Sequence, residues 1–141
     1  MLNVAVIGCG KHFEYFHLKS FKRLSKNFNI HGIYDVDYKR SKKIQKKYRI
    51  KKCYKNLIEL YKDKEINVVD ICSPPYFHFK QIIQALKHDK HVMVEKPMVL
   101  TKNQLVEIIK FKKKRLKITC LLHSRFRDET NILKQFITKN T

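Results

Sequence analysis

Short apolar runs alternate along the chain with longer segments in which apolar residues recur at helical spacing. The short runs are rich in β-branched residues and apolar almost throughout, as is typical of parallel strands buried on both faces. They predict strands at residues 3–8, 29–34, 52–54, 67–72, 91–94 and 117–122, with helices between them at 12–25, 38–48, 56–63, 77–88 and 102–114. This alternation indicates the α/β class, with a doubly wound parallel sheet of six strands in three α/β/α layers.

The first strand ends at two glycines, Gly8 and Gly10, and a helical pattern begins directly after them. A strand, a Gly-x-Gly turn and a helix in this order are typical of the first βα unit of a dinucleotide-binding, Rossmann-like fold. Gly8 can take the backbone angles of the turn, and Gly10 lets the main chain approach a pyrophosphate. The full pattern has a small residue at position 13, where this chain has Phe13. A tight βα turn of another kind of α/β protein is therefore the alternative.

An acidic residue, Asp35, stands at the end of the second predicted strand. In dinucleotide-binding folds an acid about twenty residues past the glycine turn binds the ribose hydroxyls. Alternatively Asp35 caps the next helix, since Asp37 and the lysine-rich segment after it also have the pattern of a helix start. Lys39 and Arg40 are close enough in sequence to neutralise a 2′-phosphate, so the pattern favours NAD and leaves NADP open.

Two polar segments follow the fourth and fifth predicted strands. Ser73-Pro74-Pro75, with His78 after it, ends the fourth strand, because two prolines prevent further strand pairing. Glu95-Lys96-Pro97 ends the fifth. Open α/β sheets bind ligands at the carboxyl edge, where both segments are expected to lie. The alternatives are a helix residue without a ligand for His78 and a surface ion pair for the acid and the lysine.

The charge of the chain is unusual. In 141 residues, 32 lysines and arginines stand against 12 acids, a formal net charge of +20. The lysines occur in nearly every predicted helix, and no zinc-finger or RNA-binding aromatic signature accompanies them. This distribution favours solvated lysine faces over a specific nucleic-acid site. Non-specific, salt-sensitive binding to polyanions is expected in either case.

The cysteines and the lengths of the apolar runs bear on metal binding and location. The four cysteines form no C-x-x-C pair, and their wide spacing resembles no zinc site, so the sequence predicts no metal. The apolar runs are too short to span a bilayer, and the first residues lack a signal-peptide pattern. We therefore expect reduced thiols, no membrane insertion and a cytoplasmic location.

Taken in order, these motifs resemble the N-terminal nucleotide-binding domain of the Gfo/Idh/MocA family, named after glucose-fructose oxidoreductase and inositol dehydrogenase. The matching segments are Val4–Gly10 with His17 just inside the helix, Tyr34–Asp37, Asp70–Pro75 with His78, and Val94–Pro97. The last of these is the most specific motif of the family. The segment from Ile71 to His78 also looks like the nucleotide-sugar dehydrogenases within it.

The resemblance implies an NAD(P)-dependent oxidoreductase that transfers hydride reversibly between a nicotinamide and a hydroxyl-bearing carbon of a sugar, cyclitol or nucleotide-sugar. It implies that Lys96 is catalytic and reaches the substrate hydroxyl, where a cation stabilises developing alkoxide. It also implies a set of cofactor contacts that includes the backbone of the glycine turn. These contacts are Gly8, Gly10, Lys11, His12, Asp35, Ser73, Pro74, His78, Glu95 and Lys96.

The resemblance also implies a division of the chain. Residues 1–122 would form the NAD(P)-binding domain, and 123–141 would begin a truncated substrate and oligomerisation domain with an amphipathic helix. One face of that helix carries Ile132, Leu133, Phe136 and Ile137. Because family members carry the substrate pocket and the oligomer interface in the second domain, this chain is expected to be incomplete as an enzyme alone, and its oligomeric state stays open. The alternatives are a non-enzymatic nucleotide-binding module that acts through a partner and a basic polyanion-binding domain.

Overall fold

The computed structural model describes residues 1–139, and six parallel strands form one sheet. The strands are β1 (Leu2–Ile7), β2 (Phe28–Tyr34), β3 (Lys52–Cys53), β4 (Val68–Ile71), β5 (His91–Glu95) and β6 (Ile118–Leu121). Their order across the sheet is β3-β2-β1-β4-β5-β6. The chain therefore winds outward from β1 in both directions, which confirms the predicted doubly wound, Rossmann-like α/β fold.

Five helices connect these strands, and a sixth follows β6. They are α1 (Leu18–Arg23), α2 (Tyr38–Tyr48), α3 (Leu57–Lys62), α4 (Pro75–Lys87), α5 (Lys102–Phe111) and α6 (Asp128–Lys139). Three of them begin at a side-chain cap, since Asp37, Asn56 and Thr101 each accept a hydrogen bond from a backbone N–H of the first turn. Such caps satisfy amide groups that have no partner within the helix.

The two faces of the sheet carry separate hydrophobic cores, and alternate residues of β1 contribute to each. Ala5 and Ile7 lie in the core formed with α3, α4 and α5, whereas Val4 and Val6 lie in the core formed with α1 and α2. Successive side chains of a strand point to opposite faces, so a strand covered on both sides is apolar at most positions. The apolar runs of the sequence thus correspond to the three layers.

The first helical segment differs from its prediction over 12–25. A π-helical turn, Phe13–His17, precedes α1, and α1 ends at Arg23. Phe13, the bulky departure from the small-residue pattern, is fully buried in the same core as Val4 and Val6. The turn thus buries a large side chain where a small one was expected.

Two other helices also differ from their predicted bounds. Helix α4 begins at Pro75, earlier than the predicted residue 77, because the first helical position does not need an N–H group. The predicted tail helix over 125–141 is divided into a 3-10 turn, His123–Phe126, and α6, and residues 140 and 141 lie outside the described part. Ile132, Leu133, Phe136 and Ile137 of α6 are exposed.

Within residues 1–139 no helix has the length and apolar character needed to cross a membrane.

Candidate nucleotide-binding site

The turn after β1 requires glycine at position 8. Gly8 has φ +95°, a backbone conformation that residues with a side chain rarely adopt. A Cβ there would lie 2.9 Å from backbone atoms of Cys72 and Ser73. Its N–H donates to the carbonyl oxygen of Tyr34 over 2.8 Å. The turn is therefore held closely against the ends of both neighbouring strands, β2 and β4.

Gly10 is required by nothing in the protein itself. No atom of the described residues lies within 4 Å of the place where a Cβ would stand, and the backbone φ is not in the left-handed region. The N–H of Glu14 donates to the carbonyl oxygen of Gly10 over 3.2 Å, so the helical segment begins there. Open space at the amide end of a helix is a place where an anionic group can approach the main chain.

Asp35 lies against the same turn. Its side chain is buried, and it accepts hydrogen bonds from the N–H of Cys9 over 2.7 Å and of Asp37 over 2.9 Å. A guanidinium nitrogen of Arg40 lies 3.4 Å from each of its carboxylate oxygens. The cap of α2 is Asp37, which accepts from the N–H of Arg40, so capping does not explain Asp35.

A groove of about 650 Å³ opens where these residues meet. It lies at the carboxyl ends of β1, β2 and β4, where the direction of winding changes and where open α/β sheets bind ligands. Five of the predicted cofactor contacts line it, together with apolar side chains that include Leu57 and Phe77. The five are Gly8, Gly10, Asp35, Ser73 and Pro74.

A second, basic recess of about 440 Å³ adjoins the glycine turn. Its lining includes the four cationic residues Lys11, Arg40, Lys43 and Lys47, with Glu14 as the acid. Glu14 accepts hydrogen bonds from Lys47 and Tyr48, which lower its pKa below the usual value. Arg40 lines both the recess and the groove, so it stands between the ribose candidate Asp35 and the lysines.

Glu95, at the end of β5, is buried and paired with two histidines. One carboxylate oxygen lies 2.8 Å from Nε2 of His12 and 2.9 Å from Nε2 of His17. The other oxygen accepts the backbone N–H of Lys96 over 3.1 Å. Burial raises the pKa of Glu95, but the hydrogen bonds from His17 and His12 outweigh it and hold that pKa below its usual value. Glu95 and His12, which were both predicted as cofactor contacts, therefore lie next to each other.

Behind Glu95, His17 makes a further contact that the sequence did not reveal. Its Nδ1 lies 2.8 Å from a carboxylate oxygen of Asp70, which has no exposed surface. Burial lowers the pKa of His17, and the hydrogen bonds and charges of Asp70 and Glu95 outweigh this and raise it to about 9. A chain of contacts Asp70–His17–Glu95–His12 results, in which the first three residues are buried and His12 is exposed. The sequence feature that could have indicated this contact is Asp70, an acid within the otherwise apolar strand β4.

The same groups have the spacing of a possible metal site. Donor atoms of His12, His17 and Glu95 all lie within 4.8 Å of one another, and those of His17, Asp70 and Cys72 do so as well. In both groups the histidine and carboxylate atoms are already hydrogen-bonded to one another at 2.8–2.9 Å. These atoms therefore form a hydrogen-bonded network, in which the other carboxylate oxygen of Asp70 is buried without a hydrogen-bond partner among the described residues.

His78 is placed differently from the residues of the groove. It is fully buried in α4, with one ring nitrogen 2.8 Å from the carbonyl oxygen of Pro97 and the other 2.7 Å from that of Ser73. Its ring therefore links the segments that follow β4 and β5. The geometry gives His78 a structural role between these two segments, and a direct contact with a nucleotide stays a prediction.

Lys96 and Ser73 occupy the two loops that His78 connects. The Ser73 hydroxyl donates to the side-chain oxygen of Gln81 over 2.5 Å. Lys96 is exposed, and among the described residues its ammonium group makes no hydrogen bond or ion pair. The backbone on either side is fixed through Glu95 and Pro97, so the lysine projects from a segment held at both ends.

The fold and the groove define a dinucleotide-binding α/β domain. The chain belongs to the Gfo/Idh/MocA family, since the family model described as "Oxidoreductase family, NAD-binding Rossmann fold" matches residues 2–123. The predicted family and the predicted NAD cofactor are thereby confirmed.

Similar proteins include two sugar or cyclitol dehydrogenases. Glucose-6-phosphate 3-dehydrogenase of Bacillus subtilis is 31% identical over 117 residues, 82% of this chain and 32% of that protein. Myo-inositol 2-dehydrogenase of Thermotoga maritima is 29% identical over 113 residues, 80% of this chain and 33% of that protein. The solved structure of a probable dehydrogenase from Thermotoga maritima matches with a TM-score of 0.86 at 27% identity, over 98% of this chain and 41% of that one. The chain spans about a third of the length of these curated relatives.

Proposed function

We propose that the groove binds the adenosine and pyrophosphate part of NAD or NADP, as the nucleotide half of a hydride-transferring oxidoreductase. The observation that carries this proposal is the convergence of Gly8, Gly10 and Asp35 on one groove at the switch point of the sheet. The backbone geometry of the turn requires glycine at position 8. No contact within the described residues requires it at position 10, where the open space is available to a ligand. A pyrophosphate would suit that space, because a helical segment begins at Gly10.

Asp35 is proposed to bind the adenosine ribose. Its carboxylate already accepts two backbone N–H groups and keeps lone pairs that can accept ribose hydroxyls. Arg40 and the lysines of the basic recess are suited to a 2′-phosphate, and this supports NADP as a second cofactor. The ammonium group of Lys11 would neutralise part of the charge of the pyrophosphate.

The loop after β5 is proposed to supply the catalytic group. The bound nicotinamide would supply the hydride chemistry. Lys96, on a backbone fixed by Glu95 and Pro97, would place a positive charge beside the substrate oxygen and stabilise it as alkoxide character develops. A secondary alcohol of a sugar, cyclitol or nucleotide-sugar is the proposed substrate, supported by the relatives named above.

The activity of the whole protein is part of this proposal, because the relatives are about three times as long as the matched segment. We propose that residues 1–122 form the nucleotide-binding unit and that the exposed apolar face of α6 belongs to a substrate and oligomerisation region. Hydride transfer would then require that region as well as the domain described.

Calorimetric titration of the chain with NADH and NADPH tests the proposal. Asp35→Asn removes the charge with little change of shape and should weaken binding by about tenfold or more, a loss of roughly 1.4 kcal/mol. Asp89→Asn is the matched control, because Asp89 is an exposed acid paired with Lys113 and Arg115 in another region. It should leave the affinity unchanged. A folded chain that binds neither nucleotide would refute the proposed function.

Salt dependence separates this binding from general attraction to polyanions. The net charge of +20 predicts adhesion to DNA that falls steeply with salt and shows no sequence preference. Titrations at moderate salt suppress this non-specific electrostatic binding. An affinity for DNA that depends on sequence would instead favour a nucleic-acid function.

A further inference from the structure

Two buried polar side chains, His17 and Asp70, lie behind the proposed catalytic loop Glu95–Pro97. We propose that His17 is a positioning residue, which holds Glu95 through one ring nitrogen while Asp70 fixes its other one, and so sets the place of Lys96 and of the nicotinamide. This inference rests on the proposed function and deepens it, because it assigns residues that touch neither cofactor nor substrate.

A series of hydrogen bonds connects the interior of the sheet to the loop. Asp70 in β4 orients the imidazole over 2.8 Å, and the far side of the ring meets Glu95 over 2.9 Å. The second oxygen of Glu95 then accepts the N–H of Lys96. A ring that is held at both nitrogens by carboxylates has a fixed orientation, which is how outer-shell groups orient functional ones in metal sites. The backbone of Lys96 is thus tied to the core of the sheet.

The π-helical turn brings the second histidine to the same carboxylate. His12 and His17 are five positions apart, a spacing that an α-helix of 3.6 residues per turn would rotate to about 140° apart. The i→i+5 winding of Phe13–His17 instead places positions five apart near one another. The two ring centroids are 5.4 Å apart, and both Nε2 atoms reach the same oxygen of Glu95. The π-helical winding therefore brings both histidines to the carboxylate of Glu95.

The imidazole compensates the charges of two buried carboxylates. Asp70 has no exposed surface and Glu95 very little, and each has His17 as a buried cationic partner. Removing one member of a buried charged pair leaves the other uncompensated, which is costly. Without a donor at position 17, His12 would be the only histidine in contact with Glu95, and the loop would lose its connection to β4.

The experiment compares two substitutions that retain different halves of the ring. In His17→Gln the side-chain amide extends to the place of Nε2 and keeps a donor for Glu95. In His17→Asn the shorter amide occupies the place of Nδ1 and keeps only the contact with Asp70. Each variant of the full chain is titrated calorimetrically with NADH and with ADP-ribose, which lacks the nicotinamide. The emission of bound NADH is recorded as a spectroscopic signature of the nicotinamide environment.

We expect His17→Asn to lower NADH affinity by about tenfold and to leave ADP-ribose affinity within about twofold. His17→Gln should restore most of the NADH affinity and the emission of the bound form. His31→Gln is the matched control, because His31 is also buried but belongs to β2, where it faces Glu65. It should not change the ratio of the two affinities. If His17→Asn does not fold, Asp70→Asn provides the same comparison, with an expected smaller loss for NADH only.

The outcomes separate this inference from the proposed function. Wild-type binding of both ligands with no selective loss of NADH in the Asn variant overturns the positioning role and leaves the cofactor site intact. An equal loss of both ligands also overturns it, since that indicates general damage. A zinc-dependent rise in NADH affinity that needs both His12 and His17 would show a metal site instead. Wild-type failure to bind either ligand refutes the proposed function, and this inference with it.

Discussion

The glycine turn allows a sharp prediction, because its two glycines are required for different reasons. Gly8→Ala places a methyl group 2.9 Å from three backbone atoms of Cys72 and Ser73, at a φ of +95°. Neither the strand end nor the turn can move alone, since the N–H of Gly8 is also bonded to Tyr34. We therefore expect a large loss of stability from this substitution, even without a ligand.

The magnitude follows from two terms. A side chain in a left-handed conformation costs about 1–2 kcal/mol, and forcing an extra carbon into a packed region costs roughly 1–3 kcal/mol. Their sum, about 2–5 kcal/mol, is a large part of the roughly 5–15 kcal/mol that stabilises a typical domain. At about 3–4 °C per kcal/mol for a chain of this size, Tm should fall by roughly 6–20 °C.

Gly10→Ala is the matched control within the same turn. A Cβ there meets no described atom within 4 Å, so stability should be unchanged or higher by about 0.4–1 kcal/mol through a less flexible unfolded chain. NADH affinity should nevertheless fall by about tenfold or more, since the methyl group occupies the proposed path of the pyrophosphate. Urea unfolding and calorimetry measure the two effects. Equal unfolding free energies for Gly8→Ala and wild type would refute the turn geometry, and undiminished NADH binding by Gly10→Ala would refute the phosphate site.

Three further predictions concern stability. The pKa of His17, raised from 6.5 to about 9 by Asp70 and Glu95 against the effect of burial, means that its contribution is complete below pH 6.5 and is lost as the pH rises through 9. The free energy of urea unfolding should decline over that window, and a flat profile would contradict the buried pairing. Phe13→Ala should cost about 3–5 kcal/mol because the ring is fully buried, whereas Phe16→Ala, at an exposed position, should cost far less in the same assay. Asp37→Ala should cost about 1 kcal/mol through loss of the α2 cap, and a loss near zero in thermal unfolding would contradict that role.

The proposed roles of the loops also follow from particular residues. Glu95 and Pro97 fix the backbone on both sides of Lys96, the first through His17 and the second through His78. Such a loop fixes the backbone position from which the exposed lysine side chain extends. A charge stabilises a transition state best when the groups around it are held in place beforehand.

The sequence by itself determined the order of strands and helices, the glycine turn and the acid at the end of β2. These features are local: apolar runs, a spacing of two glycines and a residue at a strand end can be recognised without knowing what they contact. Local capping patterns also pointed to Asp37, although they did not separate its role from that of Asp35.

Only the tertiary structure decided how these pieces meet. His17 contacts Asp70 and Glu95 across separations of 53 and 78 residues, and His78 lies between two loops that different strands supply. Such contacts depend on which parallel strands are neighbours, on their register and on the side of the sheet that each side chain faces. The burial of Phe13 in a π-helical turn is of the same kind. No local pattern encodes them, because the partner of each residue is fixed only when the whole sheet is assembled.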